Sequence, residues 1–330
     1  MGGRFNGGFF PRPGLELVLV ALVLFAGPVL AVAEPIDVRI TPVPLSADDP
    51  GPETAGRLKY RGGIHLVADD PTFGGLSALG VSDDGKRMVA LSDRGRRFSA
   101  RLVYDETGNL AGLRNADLAT MAGLDGAPLS SRYDGDAESM SPGIEGEIIV
   151  AFERRHRLWR YLPGVTVPEP LPGPDEMQDL PFNNGIEALT LLADGSLLAL
   201  SEGKQGRKQT VGWISSRDGW SVLTFPTPDG FRVTGAATMA GGDVLVLERF
   251  FTLRGSNRVR LKRITAATIK PGGVLAGTVI ARLRPPLTVD NFEGIDVRKG
   301  PAGEIFIYLV SDDNFNPEQR TLLMMFELME

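Results

Sequence analysis

The sequence predicts an all-β fold, a β-propeller of about six four-stranded antiparallel blades, and three observations carry that reading. Glycine and proline are frequent, at 41 and 24 residues. Beyond the N-terminal leader no stretch sustains an apolar period near 3.6 residues; short runs of Val, Ile, Leu and Phe bounded by Asp-Gly, Gly-Gly or Pro-Gly recur instead. Most informative is an internal repeat of supersecondary size.

The first element in chain order is the leader. Arg4 and Arg12 precede an apolar run from Leu15 to Leu30, broken by Glu16, Gly27 and Pro28, and then comes Ala31-Val32-Ala33. A basic start, a short apolar stretch and a small-x-small site predict a secretory signal cut after Ala33. The run is too short and too interrupted for a spanning helix, which wants about 20 apolar residues. Residues 1–33 are therefore read as signal peptide, 34–56 as an N-terminal strand and linker, and 57–330 as the propeller domain. The expected destination is the periplasm or the exterior, with no stable membrane anchor and a monomeric state.

Each repeat opens with a short element: Gly75-Leu76-Ser77, Asp136-Ala137-Glu138, Gly185-Ile186-Glu187, Val233-Thr234-Gly235 and Asn291-Phe292-Glu293. Each is followed by a turn and an apolar strand, Arg87 to Asp93, Glu147 to Glu153, Ser196 to Glu202, Asp243 to Glu248 and Ile305 to Asp312. The anchors Ser77, Glu138, Glu187, Thr234 and Glu293 recur at intervals of 61, 49, 47 and 59 residues. Units of roughly 50 residues fit propeller blades, and the 297 residues from Glu34 to Glu330 divide into about six of them. The strand-like segment from Ile36 to Leu66 and the terminal run Leu322 to Leu328 are expected to pair in one blade, which closes the ring and removes an exposed sheet edge.

Composition removes several function classes. Lys+Arg 35 against Asp+Glu 41 gives a net charge of −6 and a pI near 5.2, the wrong balance for a nucleic-acid partner. The basic run Arg258 to Ile264 alternates with aliphatics and reads as a half-buried strand with a solvated face. With no cysteine in the chain, disulfides, thiolate metal sites, lipid attachment and a cysteine nucleophile are excluded. The two histidines, His65 and His156, are too few for a histidine-rich metal site. Arg155-His156-Arg157 lacks the glycine and later residues of the histidine acid phosphatase motif, and His156 reads as a surface position in a strand from Phe152 to Tyr161. There is no Gly-x-Ser-x-Gly elbow, no P-loop and no dinucleotide fingerprint, so no nucleotide or haem cofactor is expected.

The repeat gathers acids. In a propeller the start of each inner strand sits beside the end of the second strand, at one mouth of the central channel. Glu138, Glu187 and Glu293 lie in inner strands, and Asp93, Glu153, Glu202, Glu248 and Asp312 end second strands. Arg94, Arg154, Arg155, Lys204 and Arg249 follow those acids closely. Clustered carboxylates suit Ca²⁺, which takes six to eight oxygens; crowded carboxylates also have their pKa values forced apart, giving an acid and a base from like residues. A network of structural ion pairs is the competing explanation for any single acid.

These residues also resemble a known family. Gly62 to Leu66, Phe73-Gly74-Gly75-Leu76-Ser77, Leu91-Ser92-Asp93-Arg94-Gly95, Phe152-Glu153-Arg154, Asn184-Gly185-Ile186-Glu187, Leu247-Glu248-Arg249, Asn291-Phe292-Glu293-Gly294 and Ser311-Asp312-Asp313-Asn314-Phe315 together are similar to the bacterial phytase-like domain, the esterase-like activity of phytase. The resemblance spans about residues 57 to 328 and implies a β-propeller, export and hydrolysis of esters or phosphoesters. Ser77 and Thr234 depart from the glutamate of their sister repeats. Combined with the acidic ring, the expectation is metal-assisted hydrolysis of a small-molecule phosphoester or ester. Glu187 and Glu293 would act as acid and base, Arg94, Arg154, Lys204 and Arg249 would bind substrate, and Asp93, Glu138, Glu202 and Asp312 would hold Ca²⁺. The alternative is a non-catalytic periplasmic binding module for a sugar or a protein; a quinone-dependent sugar dehydrogenase is disfavoured by the shortage of histidine.

Overall fold

Each repeat folds into one antiparallel sheet, and five such sheets stand around an axis. The computed structural model describes residues 1–2, 33–46, 48, 53–143, 146–204, 206–251 and 257–329; the expected leader falls almost wholly outside them. Blade 1 comprises Leu76–Val81, Arg87–Ser92, Arg96–Tyr104 and Leu110–Thr120, with Glu34–Pro35 on its outer edge. Blade 2 comprises Ala137–Pro142, Ile148–Phe152, Arg157–Tyr161 and Glu169–Leu171. Blade 3 is Ile186–Leu191, Leu197–Ser201, Gln209–Ser216 and Gly219–Pro226; blade 4 is Arg232–Thr238, Val244–Phe250, Arg258–Ile264 and Thr278–Leu283. Blade 5 runs outward from Phe292–Lys299 through Ile305–Ser311 and Thr321–Leu328 to Leu58–Ala68 and Val38–Pro42, with Thr54–Ala55 paired beside Leu58–Ala68.

The propeller class holds, but the number of blades is five, not about six. Residues 34–68 form no blade of their own. They add strands to blades 5 and 1, and the long hairpin of blade 1, with strands of 9 and 11 residues, absorbs more chain. Counting the repeats gives the right answer where dividing the length does not. Leu58–Ala68 pairs antiparallel with Thr321–Leu328, Ile64 opposite Leu323, so both ends of the chain share blade 5. No sheet closes on itself by hydrogen bonds; the five inner strands touch their neighbours in cyclic order, blade 5 against blade 1.

Packing between sheets forms the core. Leu245, Leu247 and Leu261 of blade 4 meet Ile307 and Leu309 of blade 5, and Leu91 of blade 1 meets Phe152 and Trp159 of blade 2. Strands buried on both faces read as unbroken apolar runs, such as Val244 to Leu247, all fully buried. Polar side chains register the inner strands against one another. Three residues after the anchor, Ser141, Thr190 and Asp296 accept the N–H of Leu191 (2.8 Å), Thr238 (3.1 Å) and Val81 (2.6 Å) from the neighbouring blade. Such bonds satisfy backbone donors that no ladder partner reaches.

The basic run is a strand as expected, yet it lacks the solvated face. Arg260 and Lys262 are 2% and 6% exposed. Both meet Glu248, itself fully buried: Arg260 donates from Nε at 2.7 Å and from Nη2 at 3.0 Å, and Lys262 Nζ at 3.2 Å. Blade 4 thus buries a three-membered charge cluster inside the sheet packing. Among the described residues no helix is long and apolar enough to cross a membrane.

Candidate functional site

One irregularity repeated five times builds the mouth of the channel. In every blade the inner strand carries a bulge against the second strand, and the unpaired residues are Ser77, Glu138, Glu187, Thr234 and Glu293. These are the five anchors of the repeat. A bulge takes its extra side chain out of the alternating pattern and re-aims it; Ser77, Glu187, Thr234 and Glu293 line the central cavity. Its free volume is about 10 Å³, on the order of the space of one water. The channel is plugged below the mouth, so chemistry on a larger molecule is confined to the rim.

The hydroxyl anchors stitch the ring. Ser77 donates to the carbonyl of Ala137, and Thr234 to that of Phe292 at 3.1 Å, each in the next blade. Among the described residues the glutamates make no hydrogen bond to a neighbouring blade's backbone. Glu138, Glu187 and Glu293 stay half-buried, and burial pushes all three carboxyls up. Mutual repulsion adds to this, foremost from Glu187 on Glu138 and from Glu202 on Glu187. Glu293 is opposed by a cation, because Arg249 Nη2 stands 3.3 Å from Oε1 and Asn291 donates to the same oxygen at 3.0 Å.

The register also fixes a second ring. One residue beyond the partner of the pre-bulge residue stand Asp93, Glu153, Glu202, Arg249 and Asp312. Four are acids from four blades; blade 4 supplies an arginine. The sequence reading that set Glu248 among the channel acids is one residue out, since Glu248 lies opposite Val233 within the ladder and in the buried cluster described above. Arg132 Nη2 pairs with Asp93 at 3.0 Å, and Arg232 Nη1 with Glu202 at 2.9 Å. Asp93 fits against the backbone where no side chain intervenes: a Cβ on Gly75, whose φ is +64°, would lie 2.3 Å from Asp93 Oδ1. Glu153 accepts the N–H of Gly185 at 3.0 Å. Asp312 accepts from the N–H of Asn314 at 2.6 Å, and burial with Glu293 nearby holds its carboxyl well above the usual range.

In blade 2 the rim acid Glu153 meets Asp136 and Glu138, and the three bring carboxylate oxygens within 4.8 Å of one another. Asp136 is fully buried beside the Glu138 carboxyl; its Oδ2 accepts from Arg154 Nε, while among the described residues no nitrogen donor reaches Oδ1. A buried oxygen without a donor is costly, and a cation would satisfy it, so this donor set fits a hard, oxygen-liganded ion. Of the expected metal group, Glu138 belongs to this trio. Asp93, Glu202 and Asp312 stand on the rim of blades 1, 3 and 5.

The expected substrate-binding cations differ in situation. Arg154, at φ +59°, serves Asp136 and lies 5.1 Å from the Phe182 ring. Arg94 is exposed and stacks on Phe315 at 3.3 Å. Arg249 pairs with Glu293. Lys204 is exposed and makes no ion pair among the described residues. His156 is buried in the turn between two strands, 3.1 Å from the Pro181 carbonyl through Nε2, which corrects its assignment to a surface position in one long strand. Asp136, Arg232 and Asn291 were not singled out, although each stands two residues before its anchor. The bulge breaks strict alternation at the anchor, so the signal that finds these residues is their constant offset in the repeat rather than the strand period.

The carboxyls give a stability test. Burial raises Asp93 from 3.8 to about 6 and Glu153 from 4.5 to about 7. The folded chain therefore holds protons that the unfolded chain has released, and the associated stability is full below about pH 4 and lost as pH rises through about 6 and 7. Asp70 and Asp105, lowered by hydrogen bonds from their own turns, lose their contribution only below their ordinary value, so pH 5 leaves them intact. In chelator the melting temperature should be higher at pH 5 than at pH 8. Millimolar CaCl₂ should raise it at pH 8 by a few degrees, since an ion at about 100 times its Kd adds roughly 2.7 kcal/mol. Coincident melts at pH 8 with and without CaCl₂ would mean that the arginines already balance the ring.

Residues 71–315 match the family described as phytase-like, esterase-like activity of phytase. No curated protein matches the chain. Among solved structures it is similar to a protein of unknown function from Dyadobacter fermentans DSM 18053, at 11% identity and a TM-score of 0.46 over 89% of this chain and 91% of that one. A protein of unknown function from Bacteroides thetaiotaomicron VPI-5482 gives 10% and 0.46 over 88% and 76%. A catalytically inactive virginiamycin B lyase from Staphylococcus aureus, with quinupristin, gives 11% and 0.41 over 89% and 100%.

Proposed function

The chain belongs to the phytase-like family described as esterase-like activity of phytase, and from that premise we propose that its acidic channel mouth hydrolyses small-molecule phosphoesters, or carboxylic esters, with the help of a divalent cation. The observation that carries the reading is the convergence of bulged Glu138, Glu187 and Glu293 with the rim acids of four blades. Isolated stabilising pairs have no reason to meet at one opening, whereas perturbed groups in a cleft are characteristic of functional sites.

Glu187 and Glu293 fit opposite roles. Burial and the nearby carboxylates of Glu202 and Glu153 push the Glu187 carboxyl well above its ordinary range, which suits donation to a leaving-group oxygen. Burial raises the Glu293 carboxyl as well, but Arg249 and Asn291 oppose that rise and favour its ionised form, as a base that takes a proton from water requires. Arg249, Arg94 and Arg154 ring the mouth and would orient an anionic substrate, with Lys204 at longer reach. Asp136, Glu138 and Glu153 would hold the cation, with Asp93, Glu202 and Asp312 able to contribute from the rim. Ca²⁺, when bound there, would neutralise phosphate charge and acidify a coordinated water. Exposed Tyr133 and Phe182, 5.9 Å apart beside Arg154 and Arg155, give the organic part of a substrate an apolar surface. We extend the proposal to an exported monomer, cut after Ala33 and working in the periplasm or outside the cell.

Mature protein should hydrolyse p-nitrophenyl phosphate, inositol hexakisphosphate or p-nitrophenyl acetate in CaCl₂ and lose that activity in chelator. Absence of turnover on all three, with saturable binding of a sugar or protein at the mouth, would replace hydrolysis by the binding-module reading.

A further inference from the structure

A second site of different character lies on the flank between blades 1 and 2, toward the end of the ring away from the acidic mouth. Blade 1 carries third and fourth strands of 9 and 11 residues, whereas the corresponding strands of blade 2 have 5 and 3. The outer part of the blade 1 sheet therefore has no blade 2 strand to cover it. A cavity of about 580 Å³ results, within the range of small-molecule sites.

Its lining departs from the repeat. Strand alternation turns Phe98, Ala100 and Leu102 toward the core shared with blade 5, and hence Arg97, Ser99 and Arg101 toward blade 2. The residue that pairs with the second strand just after each bulge is Arg97 in blade 1; its counterparts are Leu158, Gly212, Leu261 and Leu323. The three leucines are 1%, 0% and 0% exposed. A position that elsewhere seals the contact between blades here carries a guanidinium.

Arg87 and Arg101 are direct cross-strand partners. Like charges so opposed destabilise a sheet unless an anion lies between them. Among the described residues Arg87, Arg97 and Arg101 form no ion pair; Asp117 also lines the cavity, as does Glu147, which has a partner of its own. The facing wall from blade 2 is apolar, with Met140, Pro142 and Ile148, and Val89 lies among the arginines on the blade 1 side.

We infer that this cavity binds an amphipathic organic anion, its carboxylate or phosphate head held by Arg87, Arg97 and Arg101 and its short apolar body seated against Val89, Met140 and Ile148. Planar guanidinium forks suit either oxyanion in bidentate contact. The inference is independent of hydrolysis at the mouth: its residues come from the other end of the inner and second strands, and it requires no cation.

Titration calorimetry of the mature protein with octyl phosphate below its micelle concentration, with decanoate and with inorganic phosphate tests it. Octyl phosphate and decanoate should each bind one to one, and inorganic phosphate should bind at least tenfold more weakly for want of the apolar contact. The variant R101Q should weaken both amphiphiles by about tenfold or more, the loss of a charge-assisted contact, and R87Q/R101Q should abolish binding. R249Q, altered at the mouth, should leave the amphiphile affinity unchanged. Because all three arginines are exposed, these variants should melt with the wild type. Unchanged affinity in R87Q/R101Q, or loss of affinity in R249Q alone, would overturn the assignment, as would the absence of saturable binding by either amphiphile.

Discussion

Glu187→Gln is expected to lower kcat for phosphoester hydrolysis by about 10²–10⁴-fold, the usual contribution of a positioned general acid, while KM changes little. The amide keeps the size and polarity of the side chain but has no acidic proton to transfer to a leaving group. The substitution should not harm the fold, because Glu187 sits among the carboxylates of Glu202, Glu153 and Glu293 and burial already pushes it toward neutrality. At pH 8 the variant should melt at or above the wild-type temperature, since it removes a charge from a repelling cluster. That pairing of outcomes separates catalysis from structure. Unchanged kcat, with the fold intact, would take Glu187 out of the reaction, and a large fall in melting temperature would assign it to the scaffold.

The propeller was legible because its unit repeats: five anchors, each followed by an apolar strand, give five blades without any knowledge of contacts. What the sequence did not reveal was where extra chain would go. Residues 34–68 look like strands, and only pairing partners show that they complete blades 5 and 1. The channel acids were legible for the same reason, and the bulge explains why. A bulge shifts the alternation by one residue, so an acid at the anchor can face the channel although the flanking residues, Ala137 and Ser139 for example, are buried between strands. That same shift misled the reading in blade 4, where Glu248 and Arg249 compete for one rim position and register decides for the arginine. Buried charge was the least legible feature. Arg260 and Lys262 alternate with Val259 and Leu261 as a solvated face would, and nothing in that pattern tells that Glu248 accepts from both.

Glu248→Ala is expected to be the most damaging single substitution for stability, at roughly 3–5 kcal/mol, the usual cost of removing one partner from a buried ion pair. Glu248 is fully buried and accepts from Arg260 twice and from Lys262 once. Without it, Arg260 keeps only Asp229, which is 62% exposed and 2.7 Å away, and the stacking of its guanidinium on Phe231 at 4.1 Å. Lys262 keeps the carbonyl of Pro226 at 3.0 Å. Burial already depresses the lysine's pKa and Glu248 opposes that effect, so its loss should drive Lys262 further toward the neutral amine. Part of the damage should then be relieved at high pH, and more fully by a second change, Lys262→Met, which removes the stranded cation and keeps the volume. Urea melts of the wild type, the single variant and the double variant measure this. A single variant within about 1 kcal/mol of wild type, the range of a surface ion pair, would mean that water reaches the cluster and that blade 4 is held by its apolar faces alone.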